Sequence, residues 1–216
     1  MNEKGQKPLA VARGSERCIQ NPDRQGGAGS IAKNPWKTLA SRVPYENRWI
    51  RVREDEVVRP DGGPGIYGVV EIRPSVGIVA MNDWEEIALV GQWRYAPGRY
   101  SWEIPRGGSY PGETDMQAVA QRELAEEAGV AAECWQPLGA VDVCNGVADD
   151  VQSLFLATRL TETPTHPDPE EEIAVAWKPF DEAVRMAMDG RITEVCSIAA
   201  ILKTARLLNS GREKQS

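Results

Sequence analysis

Between Trp49 and Pro60 the chain reads WIRVREDEVVRP, with apolar and charged residues alternating at the period of a strand that turns one face to a core. DGGPG (61–65) supplies a turn and IYGVVEIR (66–73) answers as a second strand, so the two predict a hairpin. VGIVAMN (76–82) and EIALVGQWRY (86–95) are mostly apolar and separated by a short polar turn, the pattern of a strand pair inside a sheet. Residues 101–130, SWEIPRGGSYPGETDMQAVAQRELAEEAGV, run from a short strand through a Gly/Pro loop into a helix. Met116, Ala120, Leu124 and Ala128 recur every four residues as its apolar stripe. Thr114 followed by Gln117 makes a capping box and Gly129 suits the left-handed residue past the end, which predicts a helix over about 115–128. Beyond it, WQPLGAVDV (135–143) and QSLFLATRL (152–160) read as strands, PDPEEE (167–172) as an acidic loop and IAVAWKPF (173–180) as a strand; DEAVRMAMDG (181–190) and VCSIAAILKTARLL (195–208) read as helices. Residues 1–34 lack sustained periodicity and read as a disordered tail without assigned function. The chain thus divides into this tail, an N-terminal β segment over 35–75 and a mixed α/β (α+β) domain over 76–210.

Composition narrows the classes. The 216 residues, 41% of them apolar, suffice for one large core. A net charge of −7 argues against nucleic-acid binding and against a polybasic membrane patch, and any anionic substrate needs a local cation. Cys18, Cys134, Cys144 and Cys196 are widely spaced without a metal-binding pattern, and read as free thiols of a cytoplasmic protein. No apolar run is long enough for a membrane span, and the N-terminus lacks the apolar region of a signal peptide.

Charge also singles out the helix. At about 100° per residue, Glu123, Glu126 and Glu127 fall within an arc of about 100°, so their carboxylates can converge. A solvated acidic face is the commonest fate of such a group, but Glu127 borders the apolar stripe, three residues from Leu124. The acids also stand in the last turns, where the helix dipole disfavours each by roughly 0.3–1 kcal/mol. Arg122 pairs with Glu126 across one turn, yet one guanidinium cannot neutralise three carboxylates. A divalent cation can, and an oxygen-only ligand set suits Mg2+ or Mn2+. Gly107, Gly108 and Gly112 in the preceding loop let the backbone approach a ligand closely.

GGSYPGETDMQAVAQRELAEEAGV resembles the Nudix box: Gly, five residues, Glu, seven residues, then Arg-Glu-aliphatic-any-Glu-Glu-any-Gly-aliphatic. Gly107 and Glu113 match the first half; Arg122, Glu123, Leu124, Glu126, Glu127, Gly129 and Val130 match the second. Eight residues, not seven, separate Glu113 from Arg122, which puts the role of Glu113 in question. ALVGQWRYAPGRYSWEIPRGG and WKPFDEAVRMAMDGRITEVCSIAAIL are similar to the flanking regions of the nucleoside-diphosphate-sugar and ADP-ribose pyrophosphatase branch.

The resemblance implies an α/β/α sandwich around a mixed sheet, a homodimer assisted by the N-terminal β segment, and Mg2+-dependent (or Mn2+-dependent) hydrolysis of a nucleoside diphosphate linked to a moiety X, giving NMP and X-phosphate. Glu123, Glu126 and Glu127 are the implied metal ligands, joined by the Arg106 carbonyl, with Arg122 orienting them. Glu123 and Arg122 thus count among the catalytic group. The implied general base is one of Glu170, Glu171 and Glu172 in the acidic loop. Arg94, Gln92 and Arg106 are candidate phosphate or substrate contacts, and Trp49 and Tyr45 candidate base-stacking residues. His166, the only histidine, sits between prolines in a polar loop and reads as a bystander. The ADP-ribose subgroup carries a proline downstream of the box; here none stands between Pro137 and Pro164, which leaves NDP-sugars and other dinucleotides open. A Nudix-like sensor that binds without cleaving is the competing class, and retention of all three helix glutamates favours the enzyme. A third reading, an acidic scaffold protein, leaves those glutamates solvated.

Overall fold

The computed structural model describes residues 33–164 and 172–213; Glu170, Glu171, His166, Cys18 and most of the predicted tail lie outside them. The N-terminal segment forms β1 (Lys37–Glu46), β2 (Ile50–Val58) and β3 (Pro64–Ile72), joined antiparallel. The expected hairpin is β2–β3, in register from Ile50 opposite Ile72 to Val58 opposite Pro64. Gly62, at φ 84°, takes the left-handed position of its turn. The strand pattern did not announce β1, because all ten of its residues are exposed and no burial imposes alternation.

β4 (Ser75–Ala80), β5 (Glu86–Arg94), β6 (Arg99–Glu103) and β7 (Arg106–Gly108) follow, then α1 (Met116–Ala128), β8 (Val130–Asp142), β9 (Ala148–Asp149) and β10 (Val151–Glu162). β11 (Ala174–Pro179), α2 (Phe180–Asp189) and α3 (Val195–Glu213) close the fold. A mixed sheet runs β7-β4-β10-β8, with β10 parallel to β4, beside an antiparallel sheet β11-β5-β6; β9 adds to the edge of the N-terminal sheet at β3. β4 and β5 were expected to pair, but they lie in different sheets, linked by the bridge between Met81 and Ile87. Apolar runs report burial on both faces and do not name the neighbouring strand.

Period-two alternation divides the core into layers. Val76, Ile78 and Ala80 of β4, with Phe155 and Ala157 of β10, pack on Val119, Ala120 and Leu124 of α1. Val79, Leu154 and Leu156 face the other way, onto Ala183 and Met186 of α2 and Ala200 and Ile201 of α3. Helices therefore cover both faces, the expected α/β/α sandwich. Cys144 and Cys196 are free thiols as expected, but Cys134 is disulfide-bonded, since wide spacing in sequence says nothing of approach in space. No helix among the described residues is long and apolar enough to cross a membrane.

Candidate functional site

α1 starts one residue later than the capping box predicts. Asp115, not Thr114, is the cap: its Oδ1 accepts from the backbone N–H of Gln117 at 3.0 Å and of Ala118 at 3.2 Å. Gly129, at φ 66°, closes the other end as expected. Glu113 lies ahead of the cap, so the additional residue of the junction leaves the helical phase of Arg122–Glu127 intact. Its Oε2 accepts from Tyr110 N–H at 2.6 Å and faces Arg122 Nη2 at 3.4 Å, so Glu113 closes the glycine loop against the helix.

On α1, Glu123 and Glu127 are buried, at 9% and 7% exposure, and Glu126 is half-buried. Arg122 Nη1 donates to Glu123 Oε1 at 2.7 Å and to Glu126 Oε2 at 3.1 Å; its Nη2 donates to the Gly108 carbonyl at 3.0 Å. The Tyr110 ring covers the guanidinium, 4.1 Å from Cζ to centroid. Burial opposes the charge of Arg122, but Glu123, Tyr110, Glu126 and Glu113 outweigh it and raise its pKa. Glu127 Oε2 accepts from the Arg106 backbone N–H at 2.9 Å. A Cβ on Gly107 would stand 2.1 Å from the Glu123 carboxyl carbon, so the loop is open at the place that carboxylate occupies. Among the described residues no three carboxylates gather round a single point; Glu123 and Glu126 turn to Arg122, and Glu127 to Arg106. The donors nevertheless suit a hard divalent cation: oxygen atoms on one helix face beside a glycine cradle.

A second network stands next to the first. Arg94 grips the buried Glu103 with two bonds, Nε at 2.9 Å and Nη2 at 2.6 Å. The Arg106 side chain reaches Glu103 at 3.4 Å and Glu194 at 3.2 Å. Burial works to raise the Glu103 pKa, but Arg94 and then Arg106 hold it below the usual carboxylate range. Asp150 is raised by burial, with Arg106 opposing and Glu194 adding to the shift.

Comparison with known proteins agrees with this geometry. Residues 36–70 match the nucleoside diphosphate sugar hydrolase N-terminal domain, and residues 71–195 match the NUDIX domain. The chain belongs to the NUDIX family. An ADP-ribose pyrophosphatase of Mycobacterium tuberculosis is 34% identical over 174 residues, 80% of this chain and 84% of that protein. An ADP-ribose pyrophosphatase of Bacillus subtilis and a methanol dehydrogenase activator of Bacillus methanolicus are each 27% identical over 167 residues, 76% of this chain and 90% of each of theirs. The crystal structure of an ADP compounds hydrolase shares the fold, with a TM-score of 0.74 at 19% identity over 84% of this chain and 98% of that one. This chain is a Nudix hydrolase, of the branch that hydrolyses nucleoside diphosphates linked to a second moiety.

Within the Nudix frame, the structure brings Arg106, Arg122, Glu123, Glu126 and Glu127 together. Arg94 joins them through Glu103. Gln92 lies buried on β5 opposite Ser101. Trp49 stands exposed just ahead of β2 with the Arg48 guanidinium 4.0 Å from its ring, and the exposed Tyr45 accepts from Asn47. Glu172 is exposed two residues before the start of β11. Glu103, Glu194 and Tyr110 were not anticipated. The sequence signal for Glu103 was its place in the short strand ahead of the Gly/Pro loop; Glu194 and Tyr110 carried none.

Proposed function

We propose that this Nudix hydrolase cleaves an ADP-ribose-like compound or NDP-sugar to NMP and X-phosphate, with Mg2+ or Mn2+ held by Glu123, Glu126 and Glu127 and by the Arg106 carbonyl. The observation that carries the reading is the cradle: two buried glutamates and a half-buried third beside a glycine whose missing side chain leaves room for one of them. The ADP-ribose pyrophosphatases among its relatives support the substrate class. The proline-free stretch between Pro137 and Pro164 keeps NDP-sugars beside ADP-ribose as candidates.

In the reaction the oxygen of water forms a new bond to one phosphorus and the bridging P–O bond breaks. The electron pair leaves on the other phosphate, and the proton of the attacking water passes to a base. When bound, divalent cations neutralise phosphate charge and acidify water. Arg122 holds Glu123 and Glu126 side by side, and the Arg106 N–H fixes Glu127. One of Glu170, Glu171 and Glu172 supplies the base from the segment before β11, and Arg94 and Arg106 hold phosphate. Gln92 and Trp49 contact the remainder of the substrate.

Incubation with Mg2+ and a panel of ADP-ribose, NDP-sugars and dinucleoside polyphosphates, with detection of the monophosphate, tests the substrate. Glu127→Gln is expected to lower turnover of the best substrate by about a hundredfold or more, since even outer supports of a metal cost 10–100-fold. Wild-type turnover in Glu127→Gln would remove the metal assignment. Nucleotide binding without turnover on any substrate would favour the sensor.

A further inference from the structure

Arg106 occupies a position of unusual demand. Its backbone N–H is the anchor of Glu127 Oε2, at 2.9 Å, while its side chain extends away from α1 into the Glu103–Glu194 network. Within that network the two carboxylates are not equivalent. Glu103 is already bound at two points by Arg94, at 2.9 and 2.6 Å, and meets Arg106 only at 3.4 Å. Glu194 meets Arg106 at 3.2 Å and is itself immobilised. It accepts from Cys196 N–H at 3.0 Å, Ser197 N–H at 2.7 Å and Ser197 Oγ at 2.7 Å, bonds that tie it to the start of α3. Ser197 Oγ in turn accepts from Ile104 N–H at 3.0 Å, so the first turn of α3 is stitched to the chain two residues before Arg106.

We infer that Glu194 is a positioning residue for the metal cradle: it holds the Arg106 guanidinium away from the box and so fixes the backbone N–H that orients Glu127. The inference rests on the metal reading of Glu123, Glu126 and Glu127. Two physical effects have the same sign. Without Glu194, the Arg106 side chain loses its better-placed counter-charge and keeps Glu103, already committed to Arg94, and Asp150, whose charge it feels at longer range. A partly buried guanidinium that has lost its better-placed counter-charge shifts among the carboxylates within its reach, and those on α1 are the ligands of the cation. There it competes with the metal by charge and pulls residue 106 out of register with Glu127. Neither effect requires α3 to unfold.

The test measures Mn2+ affinity of the full chain by the electron paramagnetic resonance signal of free Mn2+, without nucleotide and well below the melting temperature. Glu194→Gln, which keeps an acceptor for the α3 N–H groups but removes the charge, is expected to weaken Mn2+ binding about tenfold. Ser197→Ala removes the stitch to Ile104 and one of the three bonds to Glu194, but keeps the Cys196 and Ser197 N–H bonds and the Arg106–Glu194 pair; it is expected to lower the melting temperature with Mn2+ affinity within about twofold of wild type. If Glu194→Gln folds poorly, Arg106→Gln alone tests the pair from the other side and is expected to weaken Mn2+ binding several-fold by freeing residue 106; where Glu194→Gln folds, adding Arg106→Gln removes the competing guanidinium and is expected to lose no further affinity. Wild-type Mn2+ affinity in Glu194→Gln, or strict additivity in the double variant, overturns the inference. Glu127→Gln separates its failure from that of the metal reading: loss of Mn2+ binding in Glu127→Gln with none in Glu194→Gln removes only the role of Glu194, whereas wild-type binding in Glu127→Gln removes the site itself.

Discussion

At Gly107 a hydrogen stands where any other residue would carry a carbon, and that carbon would lie 2.1 Å from the Glu123 carboxyl group. Gly107→Ala must therefore displace either the buried Glu123 side chain or the loop backbone. Displacement by about an ångström is enough to cost about a hundredfold in turnover, so Gly107→Ala is expected to lose at least that much kcat while remaining folded. Gly108→Ala, where an added Cβ meets nothing within 4 Å, is the control for crowding in steady-state assays. Glu103 makes a different prediction. Its folded pKa is depressed, so the stability it contributes is present above the unfolded carboxylate range and is lost as pH falls through the folded value. Glu103→Gln is expected to cost about 2–3 kcal/mol near pH 7, below the roughly 3–5 kcal/mol for breaking a fully buried pair, because the Arg94 side chain is 31% exposed. The gap in melting temperature between wild type and Glu103→Gln should close as pH falls below the usual carboxylate range and through the depressed folded value, and a gap independent of pH would show that packing, not charge, holds Glu103.

Within α1 the sequence revealed the phase more sharply than the boundary. The four-residue stripe correctly placed Leu124 and Ala120 in the core and Glu127 at its border, because helical geometry fixes which residues share a face. The N-terminus differed by one residue because Thr114 and Asp115 are both competent caps, and local chemistry alone does not choose between them. The structure assigns the cap to Asp115, so Asp115→Ala is expected to cost about 1 kcal/mol and Thr114→Ala close to nothing, as read by chemical denaturation. Equal losses in the two variants would restore the capping box. Strands show the same division: the β2–β3 hairpin was legible because turn and alternation are local, while the separation of β4 from β5 depends on partners far along the chain. The candidate site divides likewise. Glu123, Glu126 and Glu127 lie within one helical turn and could be read together, but Glu194 reaches the site from nearly seventy residues past Glu127, beyond what spacing reports.

For the molecule as a whole, the unexplained feature is β1. It is the outer strand of its sheet, and all ten of its residues are exposed, including Leu39 at 64%, Val43 at 38% and Tyr45 at 55%. A strand held from one edge and bare on both faces gains little from hydrophobic burial, and an exposed apolar edge invites pairing with another chain. A second copy is the partner we propose, since an isologous contact lets the same apolar strand serve both subunits and close the assembly. The residues that line this strand are remote in sequence from the box, so dimer formation and metal binding can be separated by mutation. Light scattering of the wild type is expected to give twice the 23.7 kDa chain mass, and the pair Leu39→Asp and Val43→Asp to give a single chain with unchanged Mn2+ affinity. Loss of Mn2+ binding along with the dimer would mean that the second subunit takes part in building the cradle, and a wild type that scatters as one chain would leave β1 to some other partner.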